Sequence, residues 1–91
     1  MTSEEAIKTI QQSFEDCKDG YWYSADKEDL NYLKDFASVA VNLAEVEDWE
    51  GALQWAKRCI MYEIKVGYTN CPIWGEFNEC VQQVCEEMIK V

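Results

Sequence analysis

Apolar residues recur along the chain at intervals of three and four, and the residues between these runs predict four helices, about 3–19, 27–47, 49–66 and 72–90. In the first, Ile7, Ile10, Phe14 and Cys17 form one stripe. Thr2 and Glu5 have capping-box spacing, in which each side chain satisfies a backbone N–H of the first turn. Gly20 is placed to end that helix in a left-handed conformation. Tyr21, Trp22, Tyr23 and Ser24 then make an aromatic connection, and Asp26 is the expected N-cap of the second helix. That helix has a wide apolar arc: Leu30, Leu33, Ala37, Ala40 and Ala44 on one line, Phe36, Val39, Leu43 and Val46 on another. A helix apolar over so much of its circumference packs on two sides.

Asp48 is the expected N-cap of the third helix, which carries Trp49, Ala52, Leu53, Ala56, Ile60 and Ile64 and stops near Gly67. Pro72 suits the first turn of the fourth, where its missing N–H costs nothing. Ile73, Phe77, Val81, Val84 and Met88 form the last stripe. No segment alternates polar and apolar residues long enough to be a strand. The expected fold is all-α, a compact four-helix bundle in one domain, residues 1–91, with 27–47 and 48–67 as its central antiparallel hairpin. Leu33, Phe36, Ala40, Leu43, Leu53, Ala56, Ile60, Phe77, Val81 and Val84 are the expected core.

Composition narrows the function classes. Against 18 Asp and Glu stand 8 Lys and Arg and no histidine, for a formal charge of −10. So acidic a chain is unsuited to a phosphate backbone or an anionic lipid surface, since both are bound through Lys and Arg. The missing His removes the commonest general base and metal ligand. There is no Ser–His or Cys–His pair to activate a nucleophile and no Gly-rich phosphate loop. Carboxylates adjacent in sequence, as at 4–5 and 86–87, diverge on a helix. The Glu-x-x-His motifs of di-metal bundles are impossible here. The expectation is therefore no enzyme, no cofactor and no metal.

Cysteines 17, 59, 71, 80 and 85 are odd in number, and no CxxC occurs. Most fall on apolar helical positions, so they read as reduced structural thiols of a cytoplasmic protein. Met1 to Glu5 has no basic n-region and does not read as a signal peptide. The densest apolar stretch, 36–46, is interrupted by Ser38, Asn42 and Glu45 and is too short to span a membrane.

One local pattern resembles a known module. Phe36-x2-Val39-Ala40-x2-Leu43, followed by Asp48-Trp49-x2-Ala52-Leu53-x2-Ala56-x2-Cys59, is similar to a single tetratricopeptide-type helical hairpin across 36–60. That family sets small residues where its helices touch, here Ala40 and Ala52, and often an aromatic where Trp49 stands. Cys59 replaces the family's usual late Ala, Ala56 stands where a large aromatic is common, and the terminal Pro is missing. The resemblance implies a tightly packed hairpin and, as its functional corollary, an adaptor with an apolar groove.

Charge is uneven along the chain. Residues 1–20, 21–47 and 68–91 carry −3, −4 and −3, whereas 48–67 sum to zero. Glu45, Glu47, Asp48 and Glu50 place four carboxylates at one helix–helix corner. Asp48 and Glu50 suit a helix start, but Glu45 and Glu47 lie at a C-terminus, where the dipole disfavours them. Asp26, Glu28 and Asp29 form a second acidic group. Carboxylates on a rigid surface can imitate phosphate spacing, and in length and charge the chain resembles small acidic phage-encoded inhibitors of the anti-CRISPR and DNA-mimic type. The expected partner is then a protein with a basic surface, such as a nucleic-acid-binding complex, in the cytoplasm of a host cell. Tyr21, Trp22 and Tyr23 in a loop, with Trp74, are the candidate aromatic contacts of an interface. The apolar surplus of the second helix would be hidden in a symmetric homodimer.

Overall fold

The computed structural model describes residues 1–20, 26–66 and 73–90, and four helices make up almost all of them: α1 (Ser3–Cys17), α2 (Lys27–Glu45), α3 (Trp49–Lys65) and α4 (Gly75–Ile89). The expected aromatics Tyr21, Trp22 and Tyr23 lie outside the described residues, and so do Gly67 and Pro72. Tyr68 and Cys71 do as well.

Each helix start has a chemical cause. Thr2 Oγ1 accepts the Glu5 N–H at 3.1 Å, and Glu5 Oε1 accepts the Thr2 N–H at 3.2 Å, which completes the capping box of α1. Those bonds to Thr2 hold the Glu5 carboxyl below its usual pKa. Asp26 caps α2 through the Glu28 N–H at 3.0 Å, and Asp48 caps α3 through the Gly51 N–H at 3.0 Å. A Cβ on Gly51 would collide with the Asp48 carboxylate, so glycine there leaves room for the cap. The fourth helix differs. It begins at Gly75 rather than 72, and Trp74 at its N-cap supplies no side-chain cap. Its capping group comes from α3 instead: Glu63 Oε1 accepts the Trp74 N–H at 2.9 Å.

Helix ends correct one expectation. Gly20 is not left-handed; it is a glycine because a Cβ there would meet Ile73 Cγ2 at 2.6 Å. The left-handed residue is Glu47, with φ of 62°. Its N–H bonds the Ala44 carbonyl at 2.9 Å while the Asp48 N–H bonds the Leu43 carbonyl at 2.9 Å. That pairing is a Schellman ending, which most helices build on glycine.

Consecutive helices run antiparallel, and α2 packs on α3, α3 on α4, α4 on α1 and α1 on α2, closing a four-helix bundle. The central pair is α2 and α3, joined by the shortest connection, and it buries small residues: Ala37, Ala40, Ala44, Ala52, Ala56 and Cys59. Small contact residues let helix backbones approach closely. Larger ones fill the remaining core, with Ile10, Leu33, Trp74, Phe77 and Val81 fully enclosed. Phe14 meets Trp74 at 5.3 Å and Phe77 at 6.0 Å between ring centroids, and Trp74 meets Phe77 edge-on at 5.5 Å. These rings lock the α1–α4 junction.

Of the expected core, Leu33, Ala40, Ala56, Phe77, Val81 and Val84 are buried, and Phe36, Leu43 and Leu53 pack half-buried against them. Ile60 is only half-buried, and Ile64 is 57% exposed. The inward stripe of α3 is Ala52, Ala56, Cys59 and Glu63, one step round the helix from the stripe its larger residues suggest.

Candidate functional site

The seven candidate acidic residues fall into two groups at opposite ends of α2, whose 19 residues span about 28 Å. Asp26, Glu28 and Asp29 stand at its start. There Asp26 is a cap, Glu28 Oε1 accepts the Tyr32 hydroxyl at 3.4 Å, and Asp29 Oδ1 accepts the Tyr62 hydroxyl at 2.9 Å. The bond to Asp29 pushes the Tyr62 pKa up to about 12, because ionising the phenol would set two anions face to face. Asp29 is half-buried and ties α2 to α3, which makes it a structural carboxylate.

The other group is freer. Glu45, Glu47, Asp48 and Glu50 are all exposed on the α2–α3 corner. Glu45 Oε2 accepts from Gln11 Nε2 of α1 at 3.1 Å, and none of the four carboxylates forms an ion pair among the described residues. No basic residue occupies the last turn of α2. Antiparallel packing brings the start of α1 and the end of α4 to the same end of the bundle, where the Met1 amino group lies 3.6 Å from Glu87. Glu4, Glu5 and Glu86 add to the carboxylates there, against Lys8 and Lys90.

The candidate aromatic Trp74 is corrected by the structure. It is 2% exposed, wedged between Phe14 and Phe77, and has no face to offer a partner. An aromatic surface that sequence spacing did not single out lies instead along the α2–α3 face. Tyr32 meets Tyr62 edge-on at 6.0 Å, Tyr62 meets Phe36 at 5.5 Å, and Phe36 meets Trp55 at 5.8 Å. The Arg58 guanidinium lies 4.5 Å from the centre of the Trp55 ring, a cation–π distance.

Glu63 is the least expected group. It is enclosed in the core, where Oε1 has the Trp74 N–H and Oε2 has no hydrogen-bond partner. Burial pushes its pKa up to about 7, although the Trp74 N–H works the other way. Asn78, buried one turn into α4, has neither amide atom satisfied. The 4–3–4 spacing of Ala52, Ala56, Cys59 and Glu63 is the sequence signal that would have placed this acid inside.

The described cysteines are free thiols, and Cys17, Cys59 and Cys85 are buried. Desolvation pushes Cys59 up to about 12 and Cys85 up to about 11, so both are inert as nucleophiles at neutral pH. Among the described residues no group of His, Cys, Asp or Glu is arranged to hold a metal, and no helix is long and apolar enough to cross a membrane. No family model matches the chain, and neither a curated protein nor a solved structure shows significant similarity to it.

Proposed function

We propose that this is a non-catalytic protein-binding protein whose carboxylate-rich end occupies a basic, nucleic-acid-binding surface of a target in the cytoplasm of a host cell. Small acidic inhibitors of the anti-CRISPR and anti-restriction type work in this general way. The observation that supports it is Glu47. A left-handed Schellman position costs a side-chain-bearing residue about 1–2 kcal/mol relative to its ordinary conformations, and glycine avoids that cost. The chain instead carries a carboxylate there, in the middle of an exposed acidic corner and at the disfavoured end of a helix dipole. Backbone strain retained where stability argues against it is a mark of a functional surface.

The test is parallel affinity capture from cell extract with the wild-type chain and with Glu45→Lys/Glu47→Lys/Glu50→Lys, at low and high salt. The expected partners carry basic nucleic-acid-binding surfaces, are lost with the triple variant and dissociate as salt screens the attraction. Partners that survive both changes overturn the reading. They would favour the alternative, a tetratricopeptide-like adaptor, which draws its support from the aromatic row Tyr32, Tyr62, Phe36 and Trp55 and calls for salt-tolerant binding.

A further inference from the structure

The α2–α3 hairpin has its small residues inside and its large ones outside. Alanines fill the inner contact, while Phe36, Trp55, Tyr62 and Tyr32 line the outer face and Met61 projects from it, 69% exposed. Between the two helices runs a shallow groove of about 380 Å³ lined by Phe36, Arg58, Met61, Tyr62 and Lys65. We propose that this face is covered by the same face of a second copy of the chain, in a two-fold dimer whose axis runs parallel to the helices.

Charge selects that occupant. Segment 48–67 is neutral, while the rest of the chain carries the whole charge of −10. The α3 side is therefore where a second copy of so acidic a chain meets the least repulsion. Arg58 and Lys65 have no ion-pair partner among the described residues, and neither have Glu28 and Asp35 on the facing helix.

The register makes these groups complementary. Tyr62 is level with Asp29, and Cys59 with Leu33, so positions 58 and 65 stand level with about 33 and 26 on α2. A two-fold axis parallel to the helices preserves height and lays α3 of one copy over α2 of the other. Arg58 of one copy then falls within a turn of Asp35 of the other, and Lys65 within a turn of Glu28, twice over by symmetry. The helix pair is about 26 Å long and roughly 20 Å wide, so the dimer would bury on the order of 1,000 Å² in total. That lies at the lower edge of specific interfaces and implies a dimer that dissociates on dilution. Both acidic ends would lie side by side at one end of the dimer, but dimerisation is tested without reference to any target.

The test is sedimentation equilibrium of the full chain across a concentration series. The expected result is a reversible monomer–dimer equilibrium. Met61→Glu should weaken it at least about tenfold, because it adds a charge to a desolvated groove without touching the monomer's core. Arg58→Glu should weaken it similarly, and adding Asp35→Arg should restore it, with circular dichroism confirming that each variant is folded. A monomer at every concentration overturns the proposal, since the groove then has a different occupant. A dimer indifferent to Met61→Glu and Arg58→Glu also overturns it, by placing the interface elsewhere.

Discussion

Glu47 and Glu63 are both glutamates in places that local rules disfavour, and they sit in opposite parts of the bundle. Glu47 is exposed at the α2–α3 corner, held in a left-handed conformation. Glu63 is 1% exposed near the junction of α3 with α4, with half its carboxylate unpartnered. The first cost is conformational, fixed and about 1–2 kcal/mol. The second is electrostatic, larger, and depends on pH. An exposed misplaced charge is thus cheap enough to be kept, as the proposed function requires. A buried one must do structural work, and Glu63 does so as the tertiary cap of a helix that has none of its own.

The largest expected effect is a pH dependence of stability set by Glu63. Its carboxyl titrates near 7 in the folded chain and at its ordinary 4.5 when unfolded. Between those values the folded state binds more protons than the unfolded state, so stability falls as pH rises through that window. The full loss, on the order of 3 kcal/mol, is in place above pH 7. Urea denaturation at pH 5 and pH 8 should show the difference, and Glu63→Gln should remove most of it while keeping the Trp74 N–H capped. A wild-type protein equally stable at both values would mean that Glu63 is hydrated in solution and would erase the contrast with Glu47.

Asn78 sharpens the buried side. Its two amide atoms are enclosed and unpaired, and each such group costs about 1–3 kcal/mol of desolvation. Asn78→Leu, which keeps the branching and number of heavy atoms and has no polar atoms, should raise stability by about 1–2 kcal/mol in thermal unfolding. If it lowers stability instead, ordered water satisfies the amide and the core near Glu63 is wetter than its enclosure indicates.

These two residues also mark where sequence reading ran out. The capping box at Thr2, the caps Asp26 and Asp48 and the antiparallel order of the helices were all legible, because each depends on residues a few positions apart or on a single period. The inward stripe of α3 is not legible from side-chain bulk, since Ile60 and Ile64 are larger than the residues that face inward beside them. Close approach of α2 and α3 favours the small ones, and turning the helix to bury them carries Glu63 inward as well. The start of α4 and the burial of Trp74 were hidden for a related reason. Their determinants, Glu63 on α3 and Phe14 on α1, lie 11 and 60 residues away along the chain. Of the candidate site, the acidic corner was readable as a cluster, but the left-handed backbone of Glu47 was not, since no glycine or asparagine announces it.

On the exposed side, Glu47→Gly should stabilise the protein by about 1 kcal/mol, or roughly 4–8 °C in Tm for a domain of this size. Glu47→Gln separates the two contributions, for it removes the charge and keeps the strained backbone. If Gln stabilises as much as Gly, charge rather than conformation is the cost at this corner. The proposed function adds an opposite expectation, that Glu47→Gly weakens target binding while it strengthens the fold.

The smallest effect is expected at the same acidic end. Lys8 Nζ lies 3.3 Å from Glu4 Oε1, one helical turn away, and both side chains are more than 70% exposed. Such a pair is worth only a few tenths of a kcal/mol, because water screens the attraction and two long side chains lose freedom to hold it. Lys8→Ala should therefore shift the unfolding free energy by less than about 0.5 kcal/mol, including the helix-propensity gain from alanine. The substitution also removes one of the few cations at an end crowded with carboxylates. If it cost 1 kcal/mol or more, repulsion among those carboxylates would be a real load on the folded state, and Glu47 would owe its cost to its neighbours more than to its own backbone. A small shift leaves the end as a solvated surface whose charge is nearly free to keep, which is what the proposed binding of a basic target through it requires.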